Sequence, residues 1–183
     1  ELAPDLQQRL ASPNPSWVPS IDRVIEPVDI VYTWVDGSDP DWLAQRREYQ
    51  PGRGTDAGES RYRDWDNLQY WFRGVEKFAP WVNKIYFVTW GHVPKWLNTA
   101  HEKIQIVKHE DFMAPAYLPT FNINSIELNL HRIKGLSEHF VFFNDDMFLI
   151  NPTKSTDFFK NGIPCDMLTL IPCATYEELD HIH

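Results

Sequence analysis

Four short apolar runs divide the chain, and polar or turn-forming residues close each of them. The runs cover residues 28–35, 85–90, 104–107 and 140–143. Nearly continuous runs of apolar and β-branched residues are typical of strands that are buried on both faces of a parallel sheet. Each run is far shorter than the roughly 20 apolar residues that a membrane span requires. The pattern therefore predicts four core strands.

One amphipathic segment separates the first two runs. Its apolar positions have the i, i+3, i+4, i+7 spacing of a helix, and they are Leu68, Trp71, Phe72, Val75 and Phe78. Asp64 or Asp66 can cap the start of this helix, and Pro80 ends it. Residues 44–63, which contain glycines, charges and a proline, are predicted to form a mobile surface flap before the helix.

A second helix is predicted over residues 125–134, between the third and fourth runs. Either Asn122 or Asn124 can serve as its N-cap, because a short amide side chain accepts a hydrogen bond from a free backbone N–H of the first turn. Gly135 is predicted as the C′ residue, where glycine readily adopts the left-handed conformation that ends many helices.

The order of strand, helix, strand, strand, helix and strand predicts a single α/β domain with a mostly parallel central sheet. The domain is predicted to cover residues 27–183, with the proline-rich residues 1–26 as an N-terminal arm. Residues 147–150 and 167–171 are further short strand candidates. The chain starts with Glu1 instead of Met and ends soon after an apolar run that needs a neighbouring strand. We therefore expect the domain to be incomplete at its C-terminus.

The charge balance narrows the classes of function. Lys and Arg number 17 against 26 Asp and Glu, which gives a net charge of −9. Such a chain lacks the basic stripe that broad binding to nucleic acid or anionic lipid requires. Neither a signal-peptide pattern nor a glycosylation acceptor site is found, so we expect a cytoplasmic, bacterial-type protein. Cys165 and Cys173 cannot form a closed zinc site and are expected to be reduced, partly buried thiols.

Polar residues follow the predicted strands at the ends where open α/β sheets bind ligands. They are Asp36 after the first strand, residues 89–92 after the second and residues 144–146 after the fourth. Asp145 and Asp146 are adjacent carboxylates, and an Mg²⁺ or Mn²⁺ ion with oxygen ligands would relieve their repulsion. A solvated turn in which these acids cap backbone amides explains the same pattern. Both interpretations stay open.

Two other groups of residues carry weaker signals. Arg61 and Arg63 precede the first helix, where their guanidinium groups can bind phosphate oxygens or pair with neighbouring acids. Glu127 and His131 are four residues apart on the second predicted helix, with Arg132 one step round. A Glu that orients a His makes a reasonable general base, and a plain surface contact is the alternative interpretation.

The remaining histidines and one early acid are predicted to have no catalytic role. His92, His101, His109 and His139 show no ligand spacing. Asp29 lies at the start of its strand, away from the carboxyl ends of the predicted sheet. It is expected to be a structural carboxylate held by hydrogen bonds, because a buried acid without partners would be costly.

Two long segments resemble the Stealth family of transferases. Residues 28–40 are similar to the family's first sequence block. Residues 60–150 are similar to its second block, and the segments that carry this resemblance are 60–64, 79–82, 85–89, 94–98, 118–122, 126–127, 130–133, 135–140 and 143–146. The family includes bacterial capsular-polysaccharide sugar-phosphate transferases and the catalytic α/β subunit of the lysosomal-enzyme N-acetylglucosamine-1-phosphotransferase.

The resemblance implies a GT-A-like nucleotide-sugar-binding sandwich and a sugar-1-phosphate transferase of capsular polysaccharide synthesis. Such an enzyme moves hexose- or N-acetylhexosamine-1-phosphate from a nucleotide-diphosphate sugar to a sugar hydroxyl. It forms a phosphodiester and releases the nucleoside monophosphate. The implied cofactor is Mg²⁺ or Mn²⁺, and the implied partners are the nucleotide-sugar donor and an oligo- or polysaccharide acceptor. Peripheral association with membrane-bound capsule machinery at the inner membrane, and a homo-oligomer, are left open.

The resemblance also implies roles for individual residues. Asp145 and Asp146 would hold the metal ion. The nucleotide-sugar and phosphate-binding residues would be Asp36, Arg61, Arg63, Asn122 and Asn144. The catalytic residues would be His131, Glu127, Arg132 and Asp145. Among these, His131 is the predicted general base.

The family's third and fourth blocks are not found after the acidic pair, apart from a beginning at residues 180–183. We therefore expect this chain to bind a nucleotide sugar yet to turn it over slowly. Two rival interpretations stay open. One is a metal-dependent GT-A glycosyltransferase, which would release a nucleoside diphosphate. The other is a non-catalytic carbohydrate-binding module in which Trp65, Trp71, Trp90 or Trp96 stacks on a sugar.

Overall fold

A four-stranded parallel sheet forms the centre of the molecule. The structure, a computed structural model, describes residues 27–49 and 65–166. The strands are β1 (Val28–Thr33), β2 (Ile85–Thr89), β3 (Ile104–Lys108) and β4 (His139–Phe143), in the spatial order β3-β2-β1-β4. All three neighbouring pairs are parallel. The predictions of an α/β fold and of these four strands are confirmed. The predicted arm (1–26) and the strand candidate 167–171 lie outside the described residues.

Apolar side chains cover both faces of the sheet. On one face Ile30, Tyr32 and Phe87 pack with Trp71 and Val75 of the helix that immediately precedes β2 in the chain. On the other face the chain between β3 and β4 covers a second cluster, which contains Val31, Tyr86, Val88, Val107, Phe112, Met113, Ile126, Leu130 and Ile133. The continuous apolar runs of β1 and β2 are explained by this burial on both faces.

The buried carboxylate of Asp29 joins three segments at the amino end of the sheet. Its Oδ1 accepts hydrogen bonds from Asn83 Nδ2 at 2.7 Å and from the backbone N–H of Lys84 at 3.0 Å. Its Oδ2 accepts a hydrogen bond from the backbone N–H of Ser137 at 2.8 Å. Asp29 is fully buried, so these bonds replace the water that its carboxylate loses on folding. The prediction of a structural carboxylate is confirmed.

Helix α1 (Pro40–Tyr49) replaces the first part of the predicted flap. The flap prediction over residues 44–63 is wrong for residues 44–49, which are helical, and the rest of that range lies outside the described residues. Asp39 caps the helix, because its Oδ1 accepts hydrogen bonds from the backbone N–H groups of Asp41 at 3.0 Å and Trp42 at 2.9 Å. The helix is mostly polar and buries only Trp42 and Arg46, so it has no apolar stripe for the sequence pattern to reveal.

Helix α2 (Leu68–Phe78) confirms the first predicted helix. Its N-cap residue is Asn67, which makes no side-chain capping bond. Asp66 precedes it with a φ of 53° and does not act as the cap, and Asp64 lies outside the described residues. The helix stops before Pro80 as predicted, and the backbone N–H of Ala79 closes it on the carbonyl of Val75.

The second predicted helix is interrupted. Helix α3 covers only Ile123–Glu127, and a 3₁₀ turn over Leu130–Arg132 follows it. The Asn129 side-chain amide donates a hydrogen bond to the backbone carbonyl of Ser125 at 2.8 Å. The backbone N–H of Asn129, which would bond to that carbonyl in a continuous helix, donates to the carbonyl of Ile126 instead. The prediction of one helix over 125–134 is therefore wrong, because a local side chain competes for its hydrogen bonds.

The ends of this region follow the prediction in part. Asn122 is the N-cap of α3 as predicted, and its Oδ1 accepts a hydrogen bond from the backbone N–H of Asn124 at 3.0 Å. Gly135 has the left-handed φ of 85° that was expected. It lies in the loop beyond the 3₁₀ turn, however, and is not the C′ residue of a helix.

A short hairpin formed by β5 (Phe159–Lys160) and β6 (Ile163–Pro164) follows the parallel sheet. Its turn is Asn161-Gly162, with φ values of 54° and 76°. That dipeptide is a strong hairpin signal, which the sequence analysis missed. Cys165 after the hairpin is exposed, so the expectation of a partly buried thiol is wrong for it, and Cys173 lies outside the described residues.

Residues 147–150 do not form the short strand that was a candidate in the sequence. Phe148 and Leu149 pack against the core cluster on the α2 side of the sheet, whereas Met147 and Ile150 are exposed. The apolar pattern here therefore reflects side-chain packing by an irregular segment. Within the described residues, no helix is both long and apolar enough to cross a bilayer.

Candidate functional site

The carboxyl ends of all four parallel strands lie on one edge of the sheet. In the register between the central strand β1 and its neighbour β4, Tyr32 pairs with Phe143. Asp36 lies four residues beyond Tyr32, and Asn144 directly follows Phe143. Neighbouring strands are about 4.8 Å apart, so the two predicted polar groups leave the sheet side by side. Their shared edge is the place where open α/β sheets bind ligands.

Residues 144–146 form an exposed turn at the end of β4, and we call them the acidic turn. The side chains of Asn144, Asp145 and Asp146 are all exposed, whereas Phe143 before them is buried. The Tyr32 hydroxyl donates a hydrogen bond to the backbone carbonyl of Asp145 at 3.2 Å. The backbone of the acidic turn is thus tied to the central strand, and its oxygen-bearing side chains remain accessible.

Asp36 begins the turn between β1 and α1. Its Oδ1 accepts hydrogen bonds from the Ser38 hydroxyl at 2.6 Å and from the Ser38 backbone N–H at 2.9 Å. Partial desolvation raises the pKa of the Asp36 carboxyl. The hydrogen bonds from Ser38, together with the nearby His92, outweigh that effect and leave the pKa below its ordinary value. Asp36 is therefore an oriented carboxylate, negatively charged at neutral pH.

His92 lies at the same edge of the sheet and contacts the turn that carries Asp36, although no role was predicted for it from the sequence. Its Nε2 accepts a hydrogen bond from the backbone N–H of Asp36 at 2.7 Å. Its Nδ1 lies 3.7 Å from Asp39 Oδ2. Burial lowers the pKa of His92, although Asp39 and Asp36 act to raise it. The available signal was its position in the stretch 89–92 directly after β2.

His109 follows β3 at the same edge of the sheet. Burial, with a smaller contribution from His92, lowers the pKa of its imidazole to about 4. His109 is therefore neutral at physiological pH. Its ring contacts Phe112 edge-on at a centroid distance of 6.4 Å, which is the environment of a packed histidine.

Asn122 lies near helix α1, beside an aromatic contact. Phe121 packs edge-on against Trp42 at a centroid distance of 5.8 Å and lies 6.1 Å from Tyr49. The Asn122 side chain is exposed, and its Oδ1 serves as the helix cap described above. The contact places the start of α3 beside helix α1.

Glu127, His131 and Arg132 are not gathered as the sequence predicted. They lie on either side of the interruption between α3 and the 3₁₀ turn, so the four-residue spacing does not place Glu127 and His131 on one helix face. His131 and Arg132 are exposed. Within residues 27–49 and 65–166, no hydrogen bond or ion pair joins either side chain to Glu127 or to the acidic turn. The prediction of a Glu–His pair on one helix face is therefore wrong. The catalytic roles of Glu127, His131 and Arg132 stay predictions.

The remaining candidates are the two arginines predicted to bind phosphate and the four tryptophans predicted to stack on a sugar. Arg61 and Arg63 lie outside the described residues. Trp71, a candidate for sugar stacking, is only 1% exposed and packs in the core, so it cannot stack on a ligand. Trp90 is half-buried and donates its indole N–H to Gln45 Oε1 at 2.9 Å. Trp65 and Trp96 are exposed, by 72% and 46%.

The acidic turn offers the donor types that Mg²⁺ and Mn²⁺ prefer. Two carboxylates and one amide oxygen are accessible there. Among the side chains that the structure describes, no group of three or more His, Cys, Asp or Glu is arranged to hold a metal ion. Mg²⁺ is usually bound by one or two carboxylates, with water and substrate phosphate completing its octahedron. The residues present fit that kind of open site.

A parallel α/β sheet with an acidic turn and an oriented Asp36 at its carboxyl edge defines an α/β protein with a ligand site at the strand ends. The sequence matches Stealth protein CR1, conserved region 1, over residues 26–54. It matches Stealth protein CR2, conserved region 2, over residues 61–166. The chain belongs to the Stealth family, as its resemblance implied.

Several curated bacterial relatives are about half identical to this chain. A capsular polysaccharide phosphotransferase WcwK of Streptococcus pneumoniae is 51% identical over 162 residues, which cover 87% of this chain and 49% of the relative. The receptor polysaccharide phosphotransferase WefC of Streptococcus oralis is 52% identical, over 75% of this chain and 43% of the relative. The capsular polysaccharide phosphotransferase CpsJ of Streptococcus thermophilus is also 52% identical, over 75% and 59%. The chain thus spans about half the length of these relatives.

Proposed function

We propose that the chain is the donor-binding part of a sugar-1-phosphate transferase of capsular polysaccharide synthesis, with a GT-A-like nucleotide-sugar site. The enzyme would transfer hexose- or N-acetylhexosamine-1-phosphate from a nucleotide-diphosphate sugar to a hydroxyl of an oligo- or polysaccharide. The observation that carries the proposal is the 51% identity to a capsular polysaccharide phosphotransferase over 87% of this chain. The two regions that match the Stealth family, residues 26–54 and 61–166, include the carboxyl edge of the sheet.

The proposed donor site lies between the β1–α1 turn and the acidic turn. Asp145 and Asp146 would hold Mg²⁺ or Mn²⁺, and Asn144 and Asn122 would contact the nucleotide sugar. The metal ion would supply neutralisation of the charge on the transferring phosphoryl group. Asp36, held by Ser38 and His92, would approach the nucleotide. Arg61 and Arg63 are proposed to bind the diphosphate.

The proposed reaction is a displacement at phosphorus. The acceptor hydroxyl oxygen attacks the β-phosphorus and forms a new phosphorus–oxygen bond. The bond from that phosphorus to the oxygen bridging the two phosphates breaks, and the nucleoside monophosphate leaves with its electron pair. The hydroxyl proton passes to a general base, for which the exposed imidazole of His131 is proposed, and Arg132 is proposed to face the phosphate charge.

The proposal places the protein in the bacterial cytoplasm, where nucleotide sugars are the donor substrates. Contact with membrane-bound capsule machinery would then be peripheral. A homo-oligomer is part of the same proposal and is tested by light scattering at micromolar concentration. Binding to nucleic acid is not expected, since the net charge is −9.

Product analysis tests the proposed reaction. The chain is incubated with UDP-glucose, UDP-N-acetylglucosamine or GDP-mannose, a capsule-type oligosaccharide and MgCl₂ or MnCl₂, and the nucleotides are separated by chromatography. Nucleoside monophosphate together with a phosphodiester product supports the proposal. Nucleoside diphosphate would instead identify a glycosyltransferase that uses the same edge of the sheet.

Metal dependence separates the enzyme from a carbohydrate-binding module. If the chain only binds carbohydrate, its affinity is the same with EDTA and in the Asp145→Asn variant. If it is a transferase, both changes weaken donor binding. A parallel assay of a chain extended to the length of the curated relatives tests the expected slow turnover, because equal rates for the two chains would contradict it.

A further inference from the structure

His92 bridges two segments at the carboxyl edge of the sheet. It lies just beyond β2 and is only 12% exposed. Its ring contacts Trp34 edge-on at a centroid distance of 5.2 Å and Trp90 at 5.7 Å. Its Nε2 accepts the backbone N–H of Asp36 across 56 residues of sequence. The imidazole thus connects the loop after β2 to the turn after β1.

The hydrogen bond from Asp36 fixes the protonation state of this imidazole. An acceptor nitrogen carries no proton, so Nε2 must be bare and the proton of the neutral ring must be on Nδ1. Nδ1 is buried and has no hydrogen-bond partner among the residues that the structure describes. The 3.7 Å between Nδ1 and Asp39 Oδ2 is longer than a hydrogen bond. A cationic ring would direct an Nε2–H at the N–H of Asp36 and break the link.

The turn that His92 contacts carries a candidate donor-binding residue and also begins α1. The backbone N–H of Asp39 donates to the carbonyl of Asp36 at 3.2 Å, and Ser38 orients the Asp36 carboxylate. Asp39 then caps α1, as described above. A group that holds the backbone N–H of Asp36 therefore holds the turn in which Ser38 orients the Asp36 carboxylate.

We propose that His92 is a positioning residue: its neutral imidazole, protonated on Nδ1, holds the β1–α1 turn so that Asp36 faces the donor site. The inference rests on the proposed function for the identity of the ligand, and on the described contacts for the positioning itself. Titratable groups that face His92 are Asp36 and Asp39 from the turn and His109 from the segment after β3.

Nuclear magnetic resonance of the ¹⁵N-labelled 183-residue chain at neutral pH tests the link without any ligand. The expected result is an unprotonated Nε2 and a protonated Nδ1 on His92, with slow hydrogen exchange of the Asp36 amide. A His92 that is protonated on Nε2 would overturn the proposal. So would an Asp36 amide that exchanges equally fast in the wild type and in a variant without the acceptor.

Two substitutions separate the acceptor from the packing of the ring. In His92→Gln the side-chain oxygen can reach the position of Nε2, whereas His92→Phe keeps a flat ring and removes the acceptor. Loss of one such hydrogen bond corresponds to about tenfold weaker binding. We therefore expect His92→Phe to raise the dissociation constant for the bound nucleotide sugar about tenfold, and His92→Gln to restore most of the affinity. Equal affinities in wild type and His92→Phe would contradict the proposal.

His101 provides a matched control at the opposite edge of the sheet. Its Nδ1 also accepts a backbone N–H, from Lys103 at 3.2 Å, but it precedes β3 and is exposed. His101→Phe should leave nucleotide-sugar binding unchanged. If His92→Phe does not fold, as judged by circular dichroism, His92→Asn supplies the same test, because its shorter amide cannot reach Asp36.

The ligand-free magnetic resonance experiment tests the inference, and the nucleotide-sugar binding experiment also tests the proposed function, so failures of the two can be told apart. Titration calorimetry uses UDP-glucose, UDP-N-acetylglucosamine and GDP-mannose with MnCl₂. If the wild-type chain binds none of these probes, the proposed function fails. The positioning role is then decided by the tautomer of His92 and by exchange of the Asp36 amide.

Discussion

The Tyr32 hydroxyl donates a hydrogen bond to the backbone carbonyl of Asp145, 3.2 Å away. Tyr32 is buried in the central strand and packs against Trp71 at a centroid distance of 4.2 Å. Asp145 lies in the exposed acidic turn. The bond therefore connects the buried core to the backbone of the turn whose accessible carboxylates are proposed to hold the metal ion.

Tyr32→Phe should loosen the acidic turn while the core packing stays nearly intact. Removal of one hydroxyl from a hydrogen bond costs about 1 kcal/mol of unfolding free energy. We expect a weaker Mn²⁺ affinity as well, by about three- to tenfold, because the turn must then be ordered by the ion. Urea unfolding and Mn²⁺ titration measure the two effects.

Tyr86→Phe is the matched control for that substitution. Tyr86 is another buried tyrosine whose hydroxyl donates to a backbone carbonyl, that of Gly135. It packs on the opposite face of the sheet from Tyr32. We expect a comparable loss of stability and no loss of Mn²⁺ affinity. An equal loss of affinity in both variants would show that general destabilisation is the cause.

Asp146→Asn should abolish metal-dependent nucleotide-sugar binding with little effect on folding. The Asp146 side chain is exposed, and surface substitutions away from structural contacts usually change stability by no more than about 0.5 kcal/mol. Calorimetric titration in MnCl₂ measures the binding. Glu102→Gln removes one exposed acid at the amino edge of the sheet and should bind normally. Normal binding by Asp146→Asn would argue against the metal site.

The sequence predicts the parts of this molecule that depend on local pattern. The runs that become β1 and β2 are buried on both faces, and Asp29 is a structural acid as its position indicated. Helix α1 was missed because it is polar and is held by Asp39 and Trp42. The interruption after α3 depends on the single side chain of Asn129, whose hydrogen bond to Ser125 has no signature in hydrophobic periodicity.

The site is predictable in outline but not in its supporting contacts. The rule that ligands bind at the carboxyl ends of strands selected Asp36 and residues 144–146, which lie just beyond the ends of the neighbouring strands β1 and β4. It also selected the stretch that contains His92, yet the role of His92 depends on a contact with Asp36 across 56 positions. The spacing of Glu127 and His131 suggested a pair because a continuous helix was assumed.

His109 should make the protein less stable as the pH falls. Its pKa is about 4 in the folded chain, whereas the ordinary value is 6.5. Between about pH 6.5 and pH 4 the imidazole is therefore protonated in the unfolded chain and neutral in the folded chain. The stabilisation of the folded state by this group is complete above pH 6.5 and is lost as the pH falls toward 4. Urea unfolding midpoints between pH 7.5 and 4.5, at about half-unit steps, measure the slope.

His109→Gln should reduce that slope, since the variant has no imidazole to protonate. His92 has a pKa shifted in the same direction, so part of the pH dependence should remain in the variant. The exposed His101 supplies the control, and His101→Gln should give the wild-type slope. Identical slopes for the wild type and His109→Gln would contradict the assignment.

Asp29→Asn should destabilise the fold without changing the donor site. The buried carboxylate accepts three hydrogen bonds, and an amide in its place would turn an N–H₂ group toward one of the donors. A hydrogen bond to a charged group contributes about 1.5–3 kcal/mol, so a loss of about 2–4 kcal/mol of unfolding free energy is expected. Asp157→Asn, at an exposed acid with one backbone bond, should cost much less.

Because Asp29 lies at the amino end of β1, the folded Asp29→Asn variant should bind nucleotide sugar with wild-type affinity. Weaker binding by the folded variant would show that the two edges of the sheet are coupled.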